Sequence, residues 1–293
     1  MLLQLDTRYS GRFTIRVSGR LVADFPNLIT NAGLDALAVG SVGASCVLGT
    51  DTNAPANSDT TLNGEVGGST VQSTVTNTSV SPAYRSMTRV YLFEVGVVPA
   101  GNYSSVGIRS AGGALYSKAR ILDAQNNPTT IAITATDFVE VAYEQRESIT
   151  TTDASFSGLN IGGTTYSGFR RPVSALANPV GLPLAQSLLT DFTTRLDAYS
   201  GTLQAWDQGS PSGLLGSSAA GAYVTYSPGS YQRDVTFTFG RLTANGSIKS
   251  LVLRRAANPG DYMHAVGWEF ATPVPKTNTQ ALSFTVRWTW ARA

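Results

Sequence analysis

The last stretch of the sequence reads Ala281-Leu282-Ser283-Phe284-Thr285-Val286-Arg287-Trp288-Thr289-Trp290-Ala291-Arg292. Leu282, Phe284, Val286, Trp288 and Trp290 alternate with Ser283, Thr285, Arg287 and Thr289. A period of two puts the first set on one face of a β-strand and the second on the other. Three large aromatics on one face require burial against another sheet or another subunit. The same pattern occurs once before, at residues 138–146, where Val139, Val141 and Tyr143 alternate with Glu140, Ala142 and Glu144. Matching this mid-chain strand with the terminal one is the best guide to the architecture.

Working outward, strands are expected at residues 3–22, 87–98, 103–108, 115–122, 131–133, 222–226, 235–239, 248–253 and 263–270, with turn residues between them. Thr30 or Asn31 can cap a short helix that carries Leu34 and Leu37 on one face. Leu184, Leu188, Leu189, Phe192 and Leu196 recur at helical spacing and predict a second helix. Many short strands with turn signals mean an all-β sandwich or barrel. The fold expected is therefore all-β, built of antiparallel, jelly-roll-like β-sandwich modules with one or two short helices. Residues 90–143 and 235–290 follow the same order of strands and turns, which points to two related copies. The expected domains are an N-terminal module over residues 1–150 with a helix near 30–39, and a C-terminal module over 171–293 with a helix near 184–197. The Thr-, Ser- and Gly-rich residues 151–170 read as the linker between them.

Composition narrows the function. Only 14% of the 293 residues are charged, and 42% are hydrophobic. That balance supports a normal core and long polar loops, not disorder. A formal net charge of +2 offers no field for a nucleic-acid backbone. The N-terminal residues lack the apolar core of a secretory signal, and no run approaches a membrane helix. The expectation is a chain made in the cytoplasm, with no membrane insertion and no nucleic-acid contact.

No catalytic, cofactor or metal site can be defended. Cys46 is alone and reads as a small buried apolar residue. His264 is the only histidine and has no partners for a zinc site; it reads as a core or interface residue. Asp137, Glu140 and Glu144 read as a solvated polar face, not the paired carboxylates of a glycosidase. The arginine pairs Arg170-Arg171 and Arg254-Arg255 suit bidentate contacts to carboxylates on a neighbouring subunit. The interface candidates are Arg254, Arg255, Trp288 and Trp290.

Three stretches carry a resemblance. Asn27-Leu28-Ile29-Thr30-Asn31-Ala32-Gly33-Leu34-Asp35-Ala36-Leu37 is followed by Val47-Leu48-Gly49-Thr50, and then by Ala54-Pro55-Ala56-Asn57-Ser58-Asp59-Thr60-Thr61-Leu62. The run continues through Phe93-Glu94, Asn102, Val106-Gly107 and Leu115-Tyr116-Ser117-Lys118-Ala119-Arg120-Ile121 to the strand at 139–143. Residues 20–148 in this way resemble structural proteins of tailed-bacteriophage particles, with a departure at Asp51, where a second glycine is usual. The resemblance implies a virion component of the tail, neck (collar) or baseplate. Its partners would be further copies of itself in a symmetric oligomer and other virion proteins. The resemblance carries over no catalytic residue and implies no cofactor. The alternative is a receptor- or glycan-binding tail or fibre module, with Trp206, Tyr223, Tyr226 and Tyr231 as stacking candidates. A depolymerase enzyme is the third reading.

Overall fold

The structure, a computed structural model, describes residues 1–40, 43–80, 83–148, 152–173, 194–205, 210–258 and 261–293. Its first half holds β1 (Leu2–Val17), β2 (Arg20–Pro26), β3 (Leu28–Ile29), α1 (Asn31–Ala38), β4 (Ser45–Gly49), β5 (Val66–Val80) and β6 (Ala83–Phe93). β7 (Gly101–Tyr103), β8 (Ser105–Arg109), β9 (Leu115–Arg120), β10 (Ile131–Ile133) and β11 (Val139–Ser148) complete it. The second half holds β12 (Ala154–Ile161), β13 (Thr164–Pro172), β14 (Arg195–Tyr199), β15 (Leu214–Ser217) and β16 (Ala222–Tyr223). β17 (Gln232–Phe239), β18 (Gly246–Asn258), β19 (Asp261–Lys276) and β20 (Leu282–Arg292) follow. The fold is all-β and sandwich-like, with large curled sheets.

Alternation sets these strands. Leu282, Phe284, Val286, Trp288 and Trp290 are buried, whereas the residues between them are half-exposed. β11 repeats the pattern with Val139, Val141 and Tyr143 inward. β11 and β20 do not pair with each other. Both flank β1, which pairs antiparallel with β11 over Arg8–Val17 and parallel with β20 over Leu2–Tyr9. One 16-residue strand thus belongs to both halves.

Each half repeats one pairing plan. In the first, β4 pairs with β8, β8 with β9, and β9 with β3. In the second, β14 pairs with β18, β18 with β19, and β19 with β13. Cys46, Val47 and Leu48 face Ile108, Gly107 and Val106; Leu196, Asp197 and Ala198 face Leu253, Val252 and Leu251. The β8–β9 ladder slips between Ile108 and Arg109, and the β18–β19 ladder slips between Leu253 and Arg254. Two hairpins also correspond, β1–β2 and β12–β13. Each turns on two residues of positive φ, Ser18-Gly19 and Gly162-Gly163, whose twist suits a tight hairpin. Each half has its own aromatic centre: Phe13, Tyr116 and Tyr143 in one, Phe239, Phe270 and Phe284 in the other.

The halves differ at one place. In the first, β2 runs on through Asn27 into β3, so β1, β11, β6, β5, β4, β8, β9 and β3–β2 close a ring of pairings. In the second, among the described residues, β12 pairs with β13 alone, and β1 holds the edge of β20 that would have closed the ring.

Three expectations need correction. Residues 151–170 are not a linker: β12 and β13 form a hairpin there, and β13 pairs with β19. The break at residue 150 does not divide the sheets, because β16, β17 and β20 share a 12-stranded sheet with β1 and β11. Of the helix expected near 184–197, residues 184–193 lie outside the described residues, and Arg195–Tyr199 is strand β14 with Leu196 opposite Leu253. α1 forms as expected. The Thr30 side chain accepts from the Gly33 N–H, 2.9 Å away, as an N-cap.

Gly33 lets α1 lie close on β9, since a Cβ there would stand 2.0 Å from the Tyr116 carbonyl oxygen. Gly33→Ala is expected to cost roughly 3 kcal/mol, the upper end of ordinary overpacking, measured by urea denaturation.

Candidate functional site

The stretches that carry the resemblance meet in space. Thr30 donates its hydroxyl to the Leu115 carbonyl, and the Asn31 N–H donates to the Asn57 carbonyl at 2.8 Å. The Lys118 ammonium on β9 lies 2.6 Å from Asp51 and 2.9 Å from Asp59. Lys118 is 3% exposed and Asp51 4%. Burial alone would push the Asp51 carboxyl up, but the Lys118 ammonium and the Asn53 and Asn63 backbone N–H groups outweigh it. The carboxyl therefore sits below its ordinary range. Burial likewise pulls Lys118 down, and its two carboxylates more than reverse that, holding it above the usual lysine value. Asp51 thus supplies half of a buried ion pair that ties residues 51–59 to β9.

The interface candidates are placed as follows. Trp288 and Trp290 are 2% and 3% exposed, and lie in the chain's own core. The Trp288 indole N–H donates to Thr7 Oγ1 at 2.7 Å, and that of Trp290 to the Leu34 carbonyl at 3.0 Å. They join β20 to β1 and α1 instead of meeting another subunit, a correction that follows from β1 lying against β20. Arg254 is also engaged within the chain, with its Nε 2.8 Å from Asp197 and its Nη2 3.2 Å from Ser217 Oγ. The side chains of Arg255 and His264, and all of Trp206, lie outside the described residues. Arg171 forms a bidentate pair with Asp153 at 2.8 and 2.6 Å.

Of the four proposed stacking aromatics, Tyr223 and Tyr226 make contacts within the chain. Tyr226 packs on Trp290 with ring centroids 5.5 Å apart, and its hydroxyl donates to Asp35. Burial and the neighbouring Asp35 carboxylate push its phenol well up. Tyr223 carries the Arg233 guanidinium 5.2 Å from its ring centre. Glu140 and Glu144 sit half-exposed near Arg16 and Arg146, at 3.8 and 2.9 Å. Cys46 is fully buried, and burial pushes its thiol far up. Among the described residues, no three His, Cys, Asp or Glu side chains converge as metal ligands. No helix among them is long and apolar enough to cross a membrane.

What the sequence did not reveal is a cleft of about 640 Å³ between β1 and β12. Leu3, Phe156, Leu159 and Trp268 supply its apolar wall. Arg170 stands at one side, its Nη1 donating to the Gln4 carbonyl at 2.7 Å and lying 3.2 Å from Asp6. The polar groups that line it are the Ser155 and Ser157 hydroxyls, the Gln4 and Asn160 amides and the Arg170–Asp6 pair.

No family model matches this chain, and neither a curated protein nor a solved structure does.

Proposed function

We propose that this chain is a structural component of a tailed-bacteriophage particle, in the tail, neck or baseplate, where it assembles as a symmetric oligomer. The observation that carries the reading is the junction at Lys118. There, residues 27–37, 51–62 and 115–121, which resemble virion proteins as separate stretches, engage one another as one unit. A fold whose residues at this junction serve packing, with curled sheets, suits a subunit that tiles a surface. The partners in this reading are further copies of the chain and other virion proteins, and the location is the assembled particle. The receptor-binding alternative loses support because Tyr223 and Tyr226 are occupied within the chain.

The test is a mass-spectrometric inventory of particles purified through a density gradient. The chain is expected at a fixed copy number per particle, in step with the other structural proteins. Its absence from particles of full infectivity would reject the proposal.

A further inference from the structure

Lys276 ends β19 and is 2% exposed. The turn that leads into β18 wraps its ammonium. Nζ lies 2.8 Å from the Gly240 carbonyl oxygen, 3.4 Å from that of Arg241, 3.0 Å from Asn245 Oδ1 and 3.5 Å from the Thr277 carbonyl oxygen. All of these oxygens are neutral. The other two lysines have carboxylates: Lys118 lies against Asp51 and Asp59, and Lys249 is 3.4 Å from Glu269. Burial pulls the Lys276 amine below the usual lysine value, and no anion lifts it.

The one side chain that Lys276 meets belongs to an Asn-Gly pair, Asn245-Gly246. Gly246 opens β18 and sits opposite Lys276 in the β18–β19 ladder, so the ladder itself sets the amide against the amine. Asn245 is exposed, and the hydrogen bond that holds its amide runs to the oxygen and not to the nitrogen. A glycine after an asparagine has no Cβ to obstruct its backbone nitrogen from reaching the side-chain carbonyl carbon. Such an attack gathers negative charge on Oδ1. An ammonium 3.0 Å from that oxygen stabilises the charge as it forms.

We propose that Asn245 is a self-modification site, where the side-chain amide is converted to a carboxylate that becomes the counter-ion of Lys276. The Gly246 nitrogen gives up its proton to water and bonds to Asn245 Cγ. The Cγ–Nδ2 bond breaks, and Nδ2 leaves as ammonia with a proton returned from water. Water then opens the five-membered ring at either carbonyl, leaving aspartate or its isomer with the side chain in the backbone. The sum is amide plus water giving carboxylate plus ammonium, with no oxidant or reductant. The role of Lys276 is to position and polarise the amide oxygen, and then to pair with the product. This site goes beyond a place in a particle and does not rest on it.

The test follows the purified full chain over time near neutral pH by peptide mass spectrometry, which reads the mass gained when NH2 is replaced by OH. Asn63-Gly64 is the second Asn-Gly pair in the sequence and is also exposed, so it serves as the internal reference. In the folded chain, Asn245 is expected to convert at least about tenfold faster than Asn63, the low side of what one aimed donor is worth. In urea, where the ammonium is no longer held at Oδ1, the two rates are expected to converge. Asn245 converting no faster than Asn63 in the folded chain, or keeping the same advantage in urea, would overturn the proposal. This comparison needs no variant, so it decides the matter even if a substitution at Lys276 prevents folding.

Two variants test the product. Asn245→Asp is expected to raise the melting temperature near neutral pH, because it supplies the carboxylate directly. Lys276→Met is expected to bring the Asn245 rate down to that of Asn63, and in that background Asn245→Asp is expected to bring no rise in melting temperature. A fall on Asn245→Asp alone, or an equal rise in both backgrounds, would contradict the pairing.

Discussion

Trp288→Ala is expected to lower the stability of the chain by about 3–5 kcal/mol, the range for removing a large buried aromatic. Trp288 is 2% exposed, its ring centroid lies 5.5 Å from that of Trp290, and its N–H is bonded to Thr7. The truncation opens a cavity, and it also strips a partner from a hydroxyl on β1. The cost falls on the β1–β20 pairing that joins the two halves. Thr289→Ala, one residue on, is expected to cost only about 0.5–1 kcal/mol. Its side chain is half-exposed and donates to Asp6, a carboxylate that is itself 60% exposed. Urea denaturation of both variants, with unchanged slope, checks the contrast. Equal costs would mean that the outward face of β20 is buried as deeply as the inward one.

Lys118→Met is the second large effect, expected at about 3–5 kcal/mol near neutral pH because it leaves the Asp51 carboxylate buried without its cation. The methionine keeps most of the volume, so lost packing is a small part of the change. Adding Asp51→Asn to Lys118→Met is expected to recover at least about 1 kcal/mol, as coupled neighbours do.

The pH dependence has a definite sign. In the native chain, the Asp51 pKa is depressed below its unfolded value of about 3.9. Its stabilisation is therefore present above that pH, and is lost as pH falls through the folded value. In Lys118→Met, burial acts without the ammonium and raises the same carboxyl, a penalty that protonation relieves. Both effects shrink the gap between the two proteins on the acid side, so a gap of the same size at pH 3 and pH 7 would contradict the account. Lys118 itself has a raised pKa, so its contribution is present below its unfolded value of about 10.4 and is lost as pH rises through the folded one.

Sequence reading succeeded where the signal was local. The alternation at residues 282–290 and 139–143 placed two buried faces correctly, and a Thr30 cap with Leu34 and Leu37 on one face placed α1. It failed where partners lie far away in the chain. Leu2–Tyr9 pairs with Thr285–Arg292, and nothing in either stretch announces the other. Residues 154–172 are rich in Ser, Thr and Gly, which reads as flexible. They are strand because Gly168, Phe169 and Arg170 find β19 nearly one hundred residues away. Leu196 fitted a helical period, yet it is held opposite Leu253 in a ladder.

Buried polar residues were missed for a different reason. Gln145 and Glu147 continue the inward parity of Val139, Val141 and Tyr143, and both are buried. Parity decided their side of the sheet, whereas their polarity suggested the opposite. The interface reading of Trp288 and Trp290 chose a neighbouring subunit where the chain supplies its own β1. The cleft between β1 and β12 could not be read at all, because the two strands that line it lie far apart in the chain.

Antibody-gold labelling of intact tailed-phage particles, viewed by electron microscopy, tests the proposed role most directly. The account predicts label at one fixed position on the tail, neck or baseplate of most particles, repeated with the symmetry of that part. Unlabelled particles, alongside free protein that the same antibody detects in the lysate, would contradict it.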